Sequence, residues 1–322
     1  MADAATLKPL KPQLSSPAAA EGSVAPVALR FAMLTDCGRH RHTNQDACAA
    51  VPERGAFVVC DGMGGAAAGE VASQIATEAF LDCIAHRCCP PAASALAEAS
   101  AATHPSEFSL THKAVPPPAR ASHPATKITP RARLAEAVRA ANHAVYRYSR
   151  KSPSLYGMGT TLVALLWEDS ALRREHGSPT PPLWLAHVGD SRCYLYRDGV
   201  LRQLTADHSL VEEQVRAGLL SRVQAVASPM CNIITRAVGT RPTVEVEIAS
   251  HATQPGDIFL LASDGLSREL AEEQIVGILA RSTGACGSDR QTALNRACQA
   301  LVDAANANGG RDNITVLLVS PE

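Results

Sequence analysis

Four aspartates share one local setting in this chain. Phe57-Val58-Val59-Cys60 runs into Asp61-Gly62-Met63-Gly64-Gly65, and Leu185-Ala186-His187-Val188 runs into Gly189-Asp190-Ser191-Arg192. Phe259-Leu260-Leu261-Ala262-Ser263 runs into Asp264-Gly265, while Arg311-Asp312-Asn313 reverses the order and feeds the apolar run 314–319. A carboxylate at the buried end of a strand is costly unless something neutralises it. One such aspartate is ordinarily a turn former or a helix cap. Four of them beside glycines fit a ligand site better, because glycine lets backbone carbonyls and a ligand approach closely. Carboxylates and carbonyls without a His or Cys cluster are hard oxygen donors, suited to Mg2+ or Mn2+ rather than Zn2+. Two such ions sharing a carboxylate and a water acidify that water and drive in-line attack at phosphorus. Whether the four converge is a question for the fold.

The segment 35–46 adds a group for the electrophile. Thr35-Asp36-Cys37-Gly38-Arg39-His40-Arg41-His42-Thr43-Asn44-Gln45-Asp46 holds two arginines and two more aspartates beside a predicted strand. A guanidinium matches phosphate oxygens as a bidentate fork. Alone, Arg41 reads as a surface residue; beside a metal cluster it reads as the holder of a phosphate.

The elements that must position these groups come in a distinctive order. Strand-like runs lie at 28–34, 56–60, 160–167, 183–188, 193–196, 243–248, 258–262 and 314–319, with Arg197-Asp198-Gly199 as a hairpin turn into 200–204. Helical periodicity is clearest at Leu134, Val138, Ala141, Val145 and Tyr148, and further helices fit 70–86, 210–217, 272–279 and 292–305. Strands come in runs with helices between them in pairs, an α+β pattern that disfavours a doubly wound nucleotide-binding sheet. Neither a phosphate-binding G-x-x-x-x-G-K-[ST] loop nor a G-x-G-x-x-G after a strand is present. Residues 1–26 read as a flexible tail, and about 90–130 and 168–182 as low-complexity insertions in a domain spanning 27–322.

Composition narrows the classes further. With 46% hydrophobic and 19% charged residues over 322 positions, the chain is globular in character. Thirty Lys+Arg against 31 Asp+Glu argues against a nucleic-acid binder working through a broad basic face. No apolar run approaches the roughly 18 residues of a membrane span, and the N-terminus lacks a signal-peptide core. The expectation is a soluble, cytoplasmic protein. The ten cysteines contain no Cys-x-x-Cys pair and read as small core hydrophobes in a reducing compartment.

Seven motifs, in order, carry a resemblance. Arg41-x-x-Asn44-Gln45-Asp46, Asp61-Gly62-Met63-Gly64-Gly65, Gly159-Thr160-Thr161, Gly189-Asp190-Ser191-Arg192, Asp207-His208-Ser209, Ser263-Asp264-Gly265 and Arg311-Asp312-Asn313 resemble those of the metal-dependent protein phosphatases of the PP2C (PPM) family, most of all its bacterial branch. The resemblance covers residues 27–320. It implies a central β-sandwich of two antiparallel sheets flanked by pairs of α-helices. It implies hydrolysis of phosphoserine and phosphothreonine in proteins by direct attack of a metal-bridging water or hydroxide, without a phosphoenzyme. In it, Asp61 bridges two Mn2+ or Mg2+ ions, the Gly62 carbonyl completes one shell, and Asp264 and Asp312 are the other direct carboxylates. Asp46 holds metal-bound water from an outer shell, Arg41 binds the substrate phosphate, and Asp190 with Asp264 matches a third ion site.

Departures from the family pattern also carry expectations. Met63 stands where eukaryotic members often carry a His that protonates the leaving alcohol, so a metal-bound water or the third site is left to serve. Gln45 stands where some relatives carry Glu. His40, His42 and His208 read as structural or solvent-facing. Residues 209–232 match the family's mobile flap, and 232–239 the strand after it. The implied partners are phosphoproteins made by a serine/threonine kinase, and the expected state is a monomer. A phosphoprotein-binding module without activity and a hydrolase of small phosphate esters are the competing readings; retention of Asp61, Asp264 and Asp312 favours the enzyme.

Overall fold

Three apolar clusters divide the protein into layers. The computed structural model describes residues 29–86, 128–167, 182–226, 228–230, 232–284 and 289–321. One sheet has the order β1-β11-β10-β7-β8, with β1 Leu29–Asp36, β11 Ile314–Pro321, β10 Ile258–Ala262, β7 Arg192–Arg197 and β8 Val200–Gln203. The other has the order β2-β3-β5-β6-β9, with β2 Asp46–Val51, β3 Ala56–Met63, β5 Leu162–Trp167, β6 Leu183–Val188 and β9 Glu247–His251. The short β4, Gly159–Thr160, pairs with β3, and every strand pairing is antiparallel. This is the α+β sandwich that the resemblance implies.

Period-two alternation explains why the central strands are apolar along their whole length. In β3, Phe57 and Val59 face the other sheet, joining Val163, Leu185, Phe259, Leu261 and Leu317 between the sheets. Val58 and Cys60 point the opposite way, under α1 (Ala66–His86) and α2 (Pro130–Ser149). On the far side, Leu260, Ala262, Val316 and Leu318 pack under α6 (Glu272–Thr283) and α7 (Arg290–Ala307). Strands covered on both faces need no polar face. Each fully buried Leu or Phe contributes about 1.5–3 kcal/mol, so the sandwich is a rigid support for whatever its strand ends carry.

Helix α2 begins where its sequence says it should. Pro130 occupies the first turn, where its missing N–H costs nothing, and Thr129 caps by accepting the Ala132 N–H. Leu134, Val138, Ala141 and Val145 form its buried stripe, as the four-three-four spacing predicts. Short helices α3 (Leu210–Arg216), α4 (Arg222–Val226) and α5 (Asp264–Ser267) and two 3-10 turns, Pro52–Arg54 and Pro153–Leu155, complete the described elements.

Several expectations are corrected here. β2 is a full strand that its alanine-rich sequence does not announce. The run 160–167 is two strands, broken at Thr161, whose N–H and hydroxyl are both used by Asp61: Thr161 N–H donates to Asp61 O (2.8 Å) and Asp61 N–H donates to Thr161 Oγ1 (2.9 Å). The strand expected at 243–248 pairs only from Glu247 to His251, although Val244, Val246 and Ile248 do turn to the core as their alternation predicts. Residues 232–239 form no strand; they hold the isolated bridges Ser209↔Ile234 and Thr160↔Val238. The expected tail lies outside the described residues, as do nearly all of the insertion at about 90–130 and that at 168–182. Among the described residues no helix is long and apolar enough to cross a membrane.

Candidate metal centre

The strand ends converge. Asp61 sits near the end of β3, directly opposite Asp46, the first residue of β2. Asp264 opens α5 at the end of β10, Asp312 precedes β11, and Asp190 lies in the turn between β6 and β7. Arg41, Asp61, Gly62, Asp264 and Asp312 line one cavity of about 500 Å3, joined by Met63, Arg268 and Asn313. Asp46 lies behind the cavity and Asp190 beside it.

Each carboxylate is held from a different element. Asp46 Oδ2 accepts from Ser263 Oγ and from Thr315 Oγ1, both at 2.7 Å, which ties β2 to the ends of β10 and β11. Asn313 anchors the Arg41 loop: its Nδ2 donates to the Cys37 and Thr43 carbonyls, and its Oδ1 accepts the Gln45 N–H at 2.8 Å. Gly38, with φ +78°, completes that loop, since a Cβ there would overlap the Asp312 carbonyl oxygen. Gly62 is likewise required: a Cβ would run into the Gly69 carbonyl where β3 meets α1. The Gln45 side chain donates to the Gly65 carbonyl (2.7 Å), so it braces the glycine turn after Asp61.

The turn carrying Asp190 rests on a buried histidine. His208 N–H donates to Gly189 O (3.0 Å), and Gly189 N–H donates to His208 Nδ1 (3.1 Å). His208 Nε2 must therefore carry the proton, which it gives to Glu247 Oε1 at 2.9 Å. The His187 ring stacks on it, 4.7 Å between centroids, and donates to Ala206 O. Burial holds both imidazoles below their ordinary range, so they are neutral supports. His187, His208 and Glu247 are close enough together to suggest a metal ion, but their ring nitrogens are engaged in these bonds. His40 and His42 are exposed at the cavity mouth.

Electrostatics shows what the cavity wants. Burial, and then the neighbouring carboxylates, push Asp61 well above the usual carboxylate range. Burial pushes Asp46 and Asp190 up to about 7, against the hydrogen bonds of Thr315 and Ser263 in one case and the Arg268 charge in the other. Asp264 is raised by burial and by Asp312, against Arg268. Like charges crowded in a dry site hold protons until a cation arrives. Two guanidiniums supply part of that cation. Arg41 donates to Asp312 Oδ2 at 2.8 Å, with half its side chain exposed, and Arg268 bridges Asp264 and Asp190.

Buried oxygens without partners complete the test of fit. Asp46 Oδ1, Asp190 Oδ1 and Asp264 Oδ1 are buried and accept no hydrogen bond, a cost that native structures rarely carry unless an ion or water meets it. An all-oxygen set of this kind suits Mg2+ or Mn2+. Of the residues singled out from sequence, Arg41, Asp61, Gly62, Asp264 and Asp312 line the cavity, and Asp46 and Asp190 do not. Missed were Ser263 and Thr315, which orient Asp46, and Arg268, whose spacing of four from Asp264 was the available signal.

Known proteins resemble this chain in sequence and fold. The protein phosphatase 2C family matches residues 36–301. The serine/threonine phosphatase stp of Listeria monocytogenes serotype 4b is 34% identical over 288 residues, 88% of this chain and 93% of that protein. The crystal structure of the Mycobacterium tuberculosis serine/threonine phosphatase PstP/Ppp superposes with a TM-score of 0.67 at 30% identity, covering 91% of this chain and 99% of that one. A structure of the PstP catalytic domain in complex with two manganese ions gives a TM-score of 0.65 at 30% identity, covering 92% and 99%.

Proposed function

The chain belongs to the protein phosphatase 2C family, and we propose that its Asp61, Gly62, Asp264 and Asp312 hold two divalent ions at which a phosphoserine or phosphothreonine side chain is cleaved. It is a metal-dependent serine/threonine phosphatase that uses Mn2+ or Mg2+. Such ions supply an acidified water as nucleophile and charge neutralisation at phosphorus.

The chain's own residues do the rest. Asp61 would be a direct carboxylate ligand, and Asp46, opposite it in the strand ladder and fixed by Ser263 and Thr315, would accept from a water held there. Arg41 leans on Asp312 until a phosphate enters; its two-pronged fork then turns the ester so that the attacked and departing oxygens line up. Met63 lines the cavity and has no proton to give, so the leaving alkoxide is protonated from elsewhere. The cavity between the Arg41 loop and the 232–234 segment is wide enough to take a phosphorylated side chain presented on a protein. We place the substrates downstream of a serine/threonine kinase and the enzyme, as a monomer, in the cytoplasm, where the free thiols of all six described cysteines are at home.

The observation that carries this reading is the partnerless buried Asp264 Oδ1 beside a cavity of about 500 Å3 that Arg41, Asp61 and Asp312 also line. The test is phosphate release from a phosphothreonine peptide with Mn2+, with Mg2+ and with chelator, alongside Asp61→Asn. Turnover that needs the metal and disappears in Asp61→Asn is expected. A folded chain that binds the peptide but never cleaves it would make this a phosphoprotein-binding module instead.

A further inference from the structure

Between Asp190 and Asp264 the protein already holds a cation of its own. Arg268 Nη2 lies 2.5 Å from Asp264 Oδ2 and 3.6 Å from Asp190 Oδ2. The contact is built into the chain: Asp264 opens α5, Arg268 caps its other end, and the Arg268 N–H donates to the Asp264 carbonyl at 2.9 Å. Side chains four residues apart on a helical turn lie on one face. Both carboxylates are deeply buried, while the guanidinium keeps about a third of its surface, 37%, towards the cavity.

We propose that Arg268 replaces a third divalent ion, so that this chain works with two. The proposal rests on the two-ion reading of Asp61, Asp264 and Asp312. An ion shared by Asp190 and Asp264 would sit about 2.0–2.1 Å from their oxygens, in the space that the Arg268 nitrogen now fills. The permanent charge of a guanidinium would repel it there at any working pH. The division at Asp264 is consistent with this. Its Oδ2 is taken by Arg268, and its Oδ1 has no partner and remains for the catalytic pair. Asp190 serves only Arg268 and keeps its own Oδ1 buried and partnerless. Clearing the guanidinium would therefore leave two buried carboxylates able to take an ion.

The experiment counts bound Mn2+ on the chelator-treated full chain, by titration calorimetry and by the electron paramagnetic resonance of free Mn2+. We expect two equivalents on the wild-type chain, three on Arg268→Ala, and two again on Arg268→Ala combined with Asp190→Asn. Arg268→Gln serves in the same role should the alanine variant fail to fold. Three equivalents on the wild-type chain would overturn the proposal and leave the two-ion reading intact. Two on both the wild type and Arg268→Ala would also overturn it, and a raised KM in that variant would make Arg268 a phosphate-binding residue instead. No Mn2+ bound to the wild-type chain would remove the two-ion reading, and this proposal with it.

Discussion

Stripping the divalent ions costs the fold more stability at pH 8.0 than at pH 6.5. In the metal-free fold Asp46 and Asp190 titrate at about 7, against 3.8 for an ordinary carboxyl. Between those values the folded state binds more protons than the unfolded one, so protonation stabilises it, and that contribution is lost as pH passes through about 7. From pH 6.5 to 8.0 each carboxyl goes from about three-quarters protonated to about one-tenth, which costs about 0.8 kcal/mol apiece. Asp61 and Asp264 are raised as well and act in the same direction. A loss of about 1.5 kcal/mol corresponds to a fall of roughly 3–6 °C in melting temperature for a domain of this size. His187, His208 and His251 are held below 6.5 when folded but titrate at 6.5 when unfolded, so they add up to about 0.4 kcal/mol apiece as pH rises through the window from 6.5 to 8.0. That gain is common to the stripped and the loaded protein, so the carboxylates are read from the difference between the two. The buried thiols of Cys48, Cys60 and Cys298, pushed up to about 12, matter only as pH approaches the ordinary thiol range above the window. Differential scanning fluorimetry with chelator and with excess Mg2+ reads the effect directly. Relative to the loaded protein, the melting point of the stripped protein should fall by roughly 3–6 °C between pH 6.5 and 8.0. A difference between the loaded and the stripped melting points that stays constant or narrows across the window would refute the reasoning.

Three substitutions probe the supports of the site. Arg41→Ala should lower kcat/KM for a phosphothreonine peptide about 10- to 100-fold, the worth of a charge-assisted bond to phosphate, with the Mn2+ count unchanged in the same titration. Gly62→Ala forces a methyl into the Gly69 carbonyl and should cost about 2–3 kcal/mol, read from the urea midpoint, together with most of the activity. Asn142→Ala removes the acceptor for the Gly239 N–H (2.8 Å) and the donor to the Arg241 and Pro242 carbonyls (both 3.1 Å) inside the protein. A loss of about 1–3 kcal/mol is expected from the same unfolding curves.

Which parts of this protein were legible in its sequence follows from how far each signal must reach. β3, β6, β10 and β11 were readable because both their faces are covered, which makes them continuous apolar runs bounded by Asp and Gly. β6 and β10 are bounded as read. β2 was not readable: Asp46-Ala47-Cys48-Ala49-Ala50-Val51 has little intrinsic strand preference, and only its ladder with β3 makes it one. The alternation at Val244, Val246 and Ile248 reported correctly which side chains face the core. It carried no information about where hydrogen bonding to β6 begins, because facing is a local property and register is a tertiary one.

The same distinction runs through the site. The carboxylates were legible because each is tied to a strand end by its immediate neighbours, so the local pattern marks it even before convergence is known. What neutralises each carboxylate depends on residues brought together from distant parts of the chain. Ser263 and Thr315 reach Asp46 across 217 and 269 positions, and although Ser263 stands in the Ser263-Asp264-Gly265 motif, nothing local says that it meets Asp46. Arg268 is the intermediate case. Its spacing from Asp264 is a local signal, but the signal gains meaning only when the fold brings Asp190 to the same guanidinium. A carboxylate motif thus identifies a cation site without saying whether the cation arrives from solution or is already part of the chain. In this protein both occur within one cluster: Asp264 Oδ1 is left for an ion, and the Oδ2 atoms of Asp264 and Asp190 face Arg268.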